Sequence, residues 1–482
     1  MRRPLAFVAI AYAFAVAMLG TTMPTPVYSL YQAEFGFSVF VVTIIFAAYA
    51  LGVLAALLAF GRWSDSLGRR PMLLAGIGLG IASAIVFISA GSLTALLIGR
   101  VLSGLSAGIF VGTATVTLVE LVPDKWRSRA PSIATAANIG GLGLGPLLAG
   151  LLVQYMPQPI RLTFAVDIAL LLVAAVAVYF VPEPVTVARG ARPHMQRLSV
   201  PAPIRGTFVR AATGGFAGFA VLGLFTGVSP GFMTQVLGID NHAATGAVVF
   251  VIFASSAAAQ IGLRGLGDTF ALRAGCITLV VGVAALGVSL LLESLPLLVI
   301  AAVVCGVGQG VTFSKGMASI TAELPTDRRA EVTSTFFVVL YIAISVPVIG
   351  AGAAANAWGL VTAGVVFSAA VAALALISLA LLLLESRDFH EEKVGEQLVE
   401  IAGDQINYID EIHSITLSGR GPLTVIGGKN DIDVDGDPID FVFVYSDLMQ
   451  MRTGVPVSLR RSPIVLPVPL TETGDRGQFD GG

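Results

Sequence analysis

Twelve apolar runs, each long enough to cross a bilayer as a helix, decide what this chain can fold into. They lie at about 5–28, 39–60, 71–91, 93–119, 130–155, 161–181, 207–233, 243–264, 271–292, 295–322, 330–353 and 357–384. Twenty apolar residues make a helix about 30 Å long, the thickness of the hydrocarbon core. Only 12% of the 482 residues are charged and 56% are hydrophobic, whereas a water-soluble domain carries about 25% charged residues. The chain therefore reads as an all-α membrane protein with twelve transmembrane helices. The first run follows Met1-Arg2-Arg3. It is longer than the apolar region of a signal peptide and lacks a clear small-residue cleavage site, so it reads as a retained helix.

The basic residues orient the helices. One set of loops holds Arg2, Arg3, Arg62, Arg69, Arg70, Lys125, Arg127, Arg129, the four arginines of 182–206, Arg264, Arg273, Arg328 and Arg329, and the opposite set holds only Arg161. By the positive-inside rule the basic loops, and with them both termini, are expected in the cytoplasm.

The chain also repeats itself. The loop Gly61 to Pro71 reads GRWSDSLGRRP, and a fainter copy returns as Arg264-Gly265-Leu266-Gly267-Asp268 with Arg273, so that Asp65 matches Asp268 and Arg70 matches Arg273. Gly104 and Gly108 match Gly306 and Gly310, Pro123 matches Pro325, and Pro26 and Tyr28 echo Pro230 and Phe232. The expected organisation is a six-helix bundle over 1–181, a basic linker over 182–206, a second six-helix bundle over 207–385 and a tail over 386–482. Parallel six-helix repeats are one of the known transporter plans, with the substrate site between them near the midplane.

The tail differs in composition. Residues 391–482 hold 16 acidic residues and seven basic ones, a net charge of −9, which leaves +7 for the rest. The stretch Glu391 to Ala402 reads as helix. Strand-like pieces follow around Ile412–Leu417, Leu423–Ile426 and Phe441–Tyr445, and the Pro- and Gly-rich end reads as disordered. Asp431-Ile432-Asp433-Val434-Asp435-Gly436 fits the start of a calcium loop. The twelfth position is Val442 where a glutamate is needed, so an acidic turn is the better reading.

Three stretches of 1–390 resemble the major facilitator superfamily. The loop after the second run carries Gly61, Asp65, Gly68, Arg69 and Arg70 in the family's Gly, spacer, Asp, Gly-Arg-Arg order. The fourth run carries Arg100 with Gly104 and Gly108. The fifth carries Gly141, Gly145, Pro146 and Gly150, which resembles the signature of the twelve-helix drug–proton antiporter branch, with Ala149 replacing one glycine. The resemblance implies a major facilitator fold, a latch at Asp65 and the arginines that holds the halves together on the cytoplasmic side in one state, and alternating access around a central site. Asp65 is placed to bond helix N-terminal amides and to pair with Arg127 or Arg129. The arginines alone would equally satisfy the orientation rule. In the fifth run, small residues allow close helix approach and Pro146 bends the helix.

Charges inside membrane helices are expensive and mark function. Arg100 and Asp167 each lie about 10 Å deep from the non-cytoplasmic side at ~1.5 Å per residue, so an ion pair between them is possible, either as a static brace or with Asp167 titrating during transport. Lys315, in the tenth run, fits a substrate or counter-ion site or a side chain reaching to the cytoplasm. Glu120 and Glu323 read as boundary residues. The first run carries no acid, although several drug–proton antiporters have a carboxylate there. Aromatics such as Tyr12, Phe14, Phe46, Tyr49, Phe216, Phe219, Phe313, Phe336 and Tyr341, with Met18 and Met23, would suit an apolar, cationic substrate.

No nucleophile–base set, metal-ligand cluster or phosphate-binding loop stands out, and Cys276 and Cys305 fall inside helices as apolar filler. An enzyme, a cofactor, a bound metal and a nucleic-acid partner are not expected. The expected function is proton-coupled efflux of amphipathic drugs or metabolites across a bacterial inner membrane, by a monomer. An uptake permease and a transporter-like sensor signalling through its tail are the alternatives.

Overall fold

The computed structural model of the protein describes residues 3–60, 63–185, 198–325 and 328–384 in full, the helix backbone on to Ile409, and three short strands beyond it. The chain forms two compact units, Met1–Leu384 and Glu385–Gly482.

The helices are α1 (Arg3–Thr22), α2 (Pro24–Phe35), α3 (Val39–Phe60), α4 (Trp63–Leu67), α5 (Arg69–Ile88), α6 (Leu93–Leu121), α7 (Ala130–Tyr155), α8 (Pro159–Tyr179), α9 (Arg205–Gly227), α10 (Ser229–Gln235), α11 (His242–Gly262), α12 (Asp268–Leu291), α13 (Leu295–Ala322), α14 (Arg329–Trp358) and α15 (Leu360–Ile409), all in the first unit except the end of α15 beyond Leu384. Among the described residues twelve segments are long and apolar enough to cross a membrane, with α1 and α2 together making the first.

Two of the apolar runs are broken rather than continuous. The first stops at Thr22 and restarts at Pro24, and the seventh stops at Gly227 and restarts at Ser229, just before Pro230. Proline has no N–H to donate and its ring crowds the carbonyl four residues back, so each run breaks where its proline falls. The first run also extends further than its sequence implies, to Phe35, where Gly36 ends it with a φ of 68°.

Both halves are built the same way. Helix α6 packs on α3 in the first half, and α13 packs on α11 in the second. A Cβ on Gly104 would lie 2.9 Å from the Cα of Gly52, and one on Gly108 would lie 2.6 Å from the Cβ of Ala56. Their repeat partners do the same work: a Cβ on Gly306 would lie 2.9 Å from the Cβ of Ser255, and one on Gly310 would lie 3.0 Å from the Cα of Ser256. Lipid is as apolar as leucine, so helices associate through close packing, and glycine every fourth residue presents a flat face for it. The two halves meet along α7 against α11 and α3 against α14. One helix of each pair carries an internal proline, Pro146 in α7 and Pro347 in α14.

In the second unit three strands, β1 (Ile426–Gly427), β2 (Phe441–Val444) and β3 (Ile464–Pro467), form an antiparallel sheet in that order. Strand β3 lies in the end that composition marks as disordered. Val442, the twelfth position of the calcium-like stretch, sits in β2 opposite Leu466. The stretches 412–417 and 431–436 lie outside the described residues, as do most of the basic linker (186–197), Gly61 and Arg62.

Candidate functional site

The loop between the second and third spans is organised by one buried arginine. Arg69 opens α5 and is 7% exposed. Its Nη1 donates to Ser64 Oγ at 2.6 Å and to Asp65 Oδ1 at 2.6 Å. Its Nη2 and Nε donate to the two carboxylate oxygens of Glu120 at 2.9 and 3.3 Å. The planar guanidinium thus ties α4, α5 and the end of α6 into one piece, a two-point geometry that lysine cannot reproduce. Glu183, just beyond α8, accepts from the backbone N–H groups of Arg69 and Arg70 at 2.8 and 3.0 Å. It caps the positive end of α5. Gly68 precedes it at φ 100°, a conformation that excludes other residues. Arg70 lies with its guanidinium 4.5 Å from the centre of the Tyr179 ring. Asp65 pairs within its own loop, and Arg127 takes Asp124 at 3.0 Å.

The repeat of this loop is held by a different residue. Asp268 bonds Lys315 at 2.9 Å, and the same ammonium donates to the carbonyls of Arg264, at 2.9 Å, and Leu266. Lys315 therefore reaches along α13 to the loop between α11 and α12. Arg273 donates to the carbonyl of Leu382 at 3.2 Å.

The two remaining buried charges lie deeper and are not ion-paired with each other or with any described residue. Arg100 Nη1 donates to the carbonyl of Thr21 at 2.6 Å, at the end of α1 where the helix breaks. The negative end of a helix dipole suits a cation there. Asp167 packs against the neighbouring residue of α1. Its carboxylate fills the space left by the missing side chain of Gly20, where a Cβ would meet Oδ1 at 2.7 Å. It lines a small cavity with Thr21, Ser83, Ser103 and Ser106, and its Oδ1 has no hydrogen-bond partner. The hydroxyls of Ser83 and Ser106 donate to the carbonyls of Gly99 and Gly76 at 2.7 Å each.

The glycines of α7 face two helices. Gly141 and Gly145 turn to the first half, where a Cβ would lie 2.9 Å from the Cβ of Met18 and 3.1 Å from the N of Met23. Gly150 turns to the second half, where a Cβ would lie 3.2 Å from the Cα of Ala243, and the carbonyl of Pro146 lies against Gly246. At the end of this seam the backbone N–H of His242 donates to Gln154 at 2.9 Å, and its ring lies 3.4 Å from Ser29 Oγ. At the other end Arg264 reaches Ser132 Oγ at 3.0 Å.

The family model described as the Major Facilitator Superfamily matches residues 8–346. The chain belongs to the Major Facilitator Superfamily. Among curated relatives, an uncharacterized MFS-type transporter of Mycobacterium tuberculosis is 31% identical over 189 residues, covering 38% of this chain and 27% of the relative. Multidrug resistance protein 2 of Bacillus subtilis is 28% identical over 166 residues, covering 34% and 41%. The MdtD protein of Escherichia coli strain SE11, whose name places it among multidrug resistance proteins, is 26% identical over 244 residues, covering 51% and 48%. The chain thus spans less than half the length of each of these relatives. The fold is shared with solved structures. A bacterial homologue of the human lysosomal transporter spinster, inward-facing, aligns with a TM-score of 0.62 at 15% identity, covering 81% of this chain and 98% of that one. The human organic anion transporter MFSD10 aligns at 0.58 and 18% identity, covering 79% and 100%. Membership makes this a multi-pass membrane protein.

Sequence alone missed Glu183, Pro347 and the partners of Arg100 and Asp167. Glu183 had a signal: it stands between Pro182 and Pro184, just past the sixth run, on the side of the arginines it meets.

Proposed function

We propose that the protein is a secondary transporter that exports amphipathic small molecules across the inner membrane in exchange for protons. The observation that carries this reading is the placement of α7. Its glycines and Pro146 form the joint between the helix-1 segment and the opposite half, where a bendable, closely packed element has most leverage on a rocking motion. The relatives named for multidrug resistance support the direction of transport. Asp167 takes the proton: a buried carboxylate beside Gly20, with one oxygen unpartnered, is stable in this place only when neutral or newly paired. The Arg69 and Lys315 assemblies then hold the cytoplasmic ends of each half rigid, with both termini on that side.

The test is proton movement in proteoliposomes carrying a trapped pH dye, for the wild type and Asp167→Asn, with a panel of amphipathic compounds. Compound-evoked proton movement in the wild type that disappears in the variant is the expected result. Movement retained in the variant removes Asp167 from coupling, and no movement in folded wild-type protein with any compound contradicts proton exchange.

A further inference from the structure

Three cations are buried in the described part of the membrane unit, and two of them have an acidic partner: Arg69 has Asp65 and Glu120, and Lys315 has Asp268. Arg100 has none. It is 2% exposed, its single hydrogen bond is to the Thr21 carbonyl, and its Nε is without a partner. Its guanidinium lies 4.9 Å from the centre of the Tyr49 ring, 5.8 Å from Phe46 and 5.9 Å from Tyr28. The Tyr28 hydroxyl, on a side chain 2% exposed, is also without a partner. Ring faces stabilise a cation by about 0.5–2 kcal/mol each and do not satisfy an N–H as an oxygen does. Two neighbouring buried side chains thus each keep a polar group open, an N–H on Arg100 and a hydroxyl on Tyr28.

The position of this pair is as informative as its chemistry. Phe46 lies 3.5 Å from where a Cβ on Gly227 would be, and the Tyr49 ring lies 6.4 Å from that of Tyr341, so two of the rings around Arg100 border the second half of the molecule. From Tyr341 the rings continue at 6.5 Å to Phe337, at 6.1 Å to Phe313 and at 5.4 Å to Phe219. Phe337 and Phe313 are only partly buried. A cation of one half is thus linked through the Tyr49 ring to a rank of aromatic faces of the other, and no described acidic residue pairs with the cation.

We propose that Arg100, Tyr28 and this aromatic rank form a binding site for amphipathic organic anions, with a carboxylate on the open edge of Arg100 and a flat apolar body along Tyr341, Phe337 and Phe313. The site rests on the transporter reading and names its substrate class. It reverses the cationic preference that the aromatic content of the sequence implies, because the charge presented at the seam is positive. Asp167 lines a small cavity beside Gly20 and Thr21 and is not ion-paired with Arg100.

Equilibrium binding to the full-length protein in lipid nanodiscs tests this without requiring transport, so a failure of proton coupling would leave the result readable. The probes are 2-naphthoate, its neutral isostere 2-naphthamide and the lipophilic cation tetraphenylphosphonium. The expected result is that the wild type binds naphthoate about tenfold more tightly than naphthamide, the gain of one charge-assisted contact in a buried site. Arg100→Gln then lowers naphthoate to the level of naphthamide while naphthamide binding is kept, which also establishes that the variant is folded. Arg100→Lys restores part of the preference, and Tyr28→Phe weakens it with the protein otherwise intact. Equal affinity for naphthoate and naphthamide, as expected if a water alone meets the two donors, overturns the proposal. So does tighter binding of the cation, a preference that survives Arg100→Gln, or no saturable naphthoate binding up to millimolar concentration.

Discussion

At the scale of single residues, charge inside this protein is handled in two ways. Arg69 is fully committed: its guanidinium makes four contacts to three side chains within 3.3 Å, and its backbone N–H donates to Glu183. Replacing it with lysine keeps the charge but removes the fork. Arg69→Lys is expected to lose about 1–3 kcal/mol of stability, read as a lower thermal midpoint in detergent, whereas Arg70→Lys, half-buried against Tyr179 where a lysine also meets the ring, changes less. Asp167 is the reverse case, a buried acid with an unmet oxygen. Asp167→Asn removes a carboxyl that burial disfavours and is expected to raise the thermal midpoint by about 2 °C or more while abolishing proton movement. A midpoint lowered by the substitution would mean that Asp167 braces the fold.

At the scale of elements, glycine placement separates packing from filler. Gly104 is pressed against the Tyr49 carbonyl and Gly52, whereas Gly112, two turns further along the same helix, has no atom within 4 Å of where a Cβ would stand. Gly104→Ala is expected to cost about 2 kcal/mol or more through separation of α6 from α3. Gly112→Ala is expected to be neutral or to gain up to about 1 kcal/mol from helix propensity. Equal effects in thermal unfolding would contradict the packing described. The element scale is also where the sequence was most readable. The twelve spans, the repeat of Gly104 and Gly108 at Gly306 and Gly310, and the small residues of α7 are all carried by hydropathy and by fixed spacing along one helix. What escaped depends on neighbours that spacing does not encode. Arg100 and Asp167 lie at similar depth and reach adjacent residues of α1, yet one bonds the Thr21 carbonyl and the other packs on Gly20, and they do not pair. Lys315 fits a cavity residue and a loop anchor equally by its place in the sequence, and its reach to Asp268 and the carbonyls of Arg264 and Leu266 makes it the anchor. The helix breaks at Met23 and Val228 were marked by prolines, but apolar runs on both sides hid them.

At the scale of the whole molecule, the proposed transport requires the halves to move against each other about the seam of α7 with α11 and α3 with α14. Thr43 on α3 and Gly352 on α14 meet near the seam end away from the arginine-rich loops, where a Cβ on Gly352 would lie 3.0 Å from that of Thr43. That separation is close to the spacing of a disulfide, with Cβ atoms about 3.5–4.5 Å apart. The native Cys276 and Cys305 are buried and do not compete for the oxidant. The most direct measurement is therefore transport by the Thr43→Cys, Gly352→Cys double variant in proteoliposomes before oxidation, after it and after reduction. Transport is expected in the reduced protein, to be lost as the cross-link forms and to return on reduction. Undiminished transport by fully cross-linked protein would contradict opening of the halves at this end.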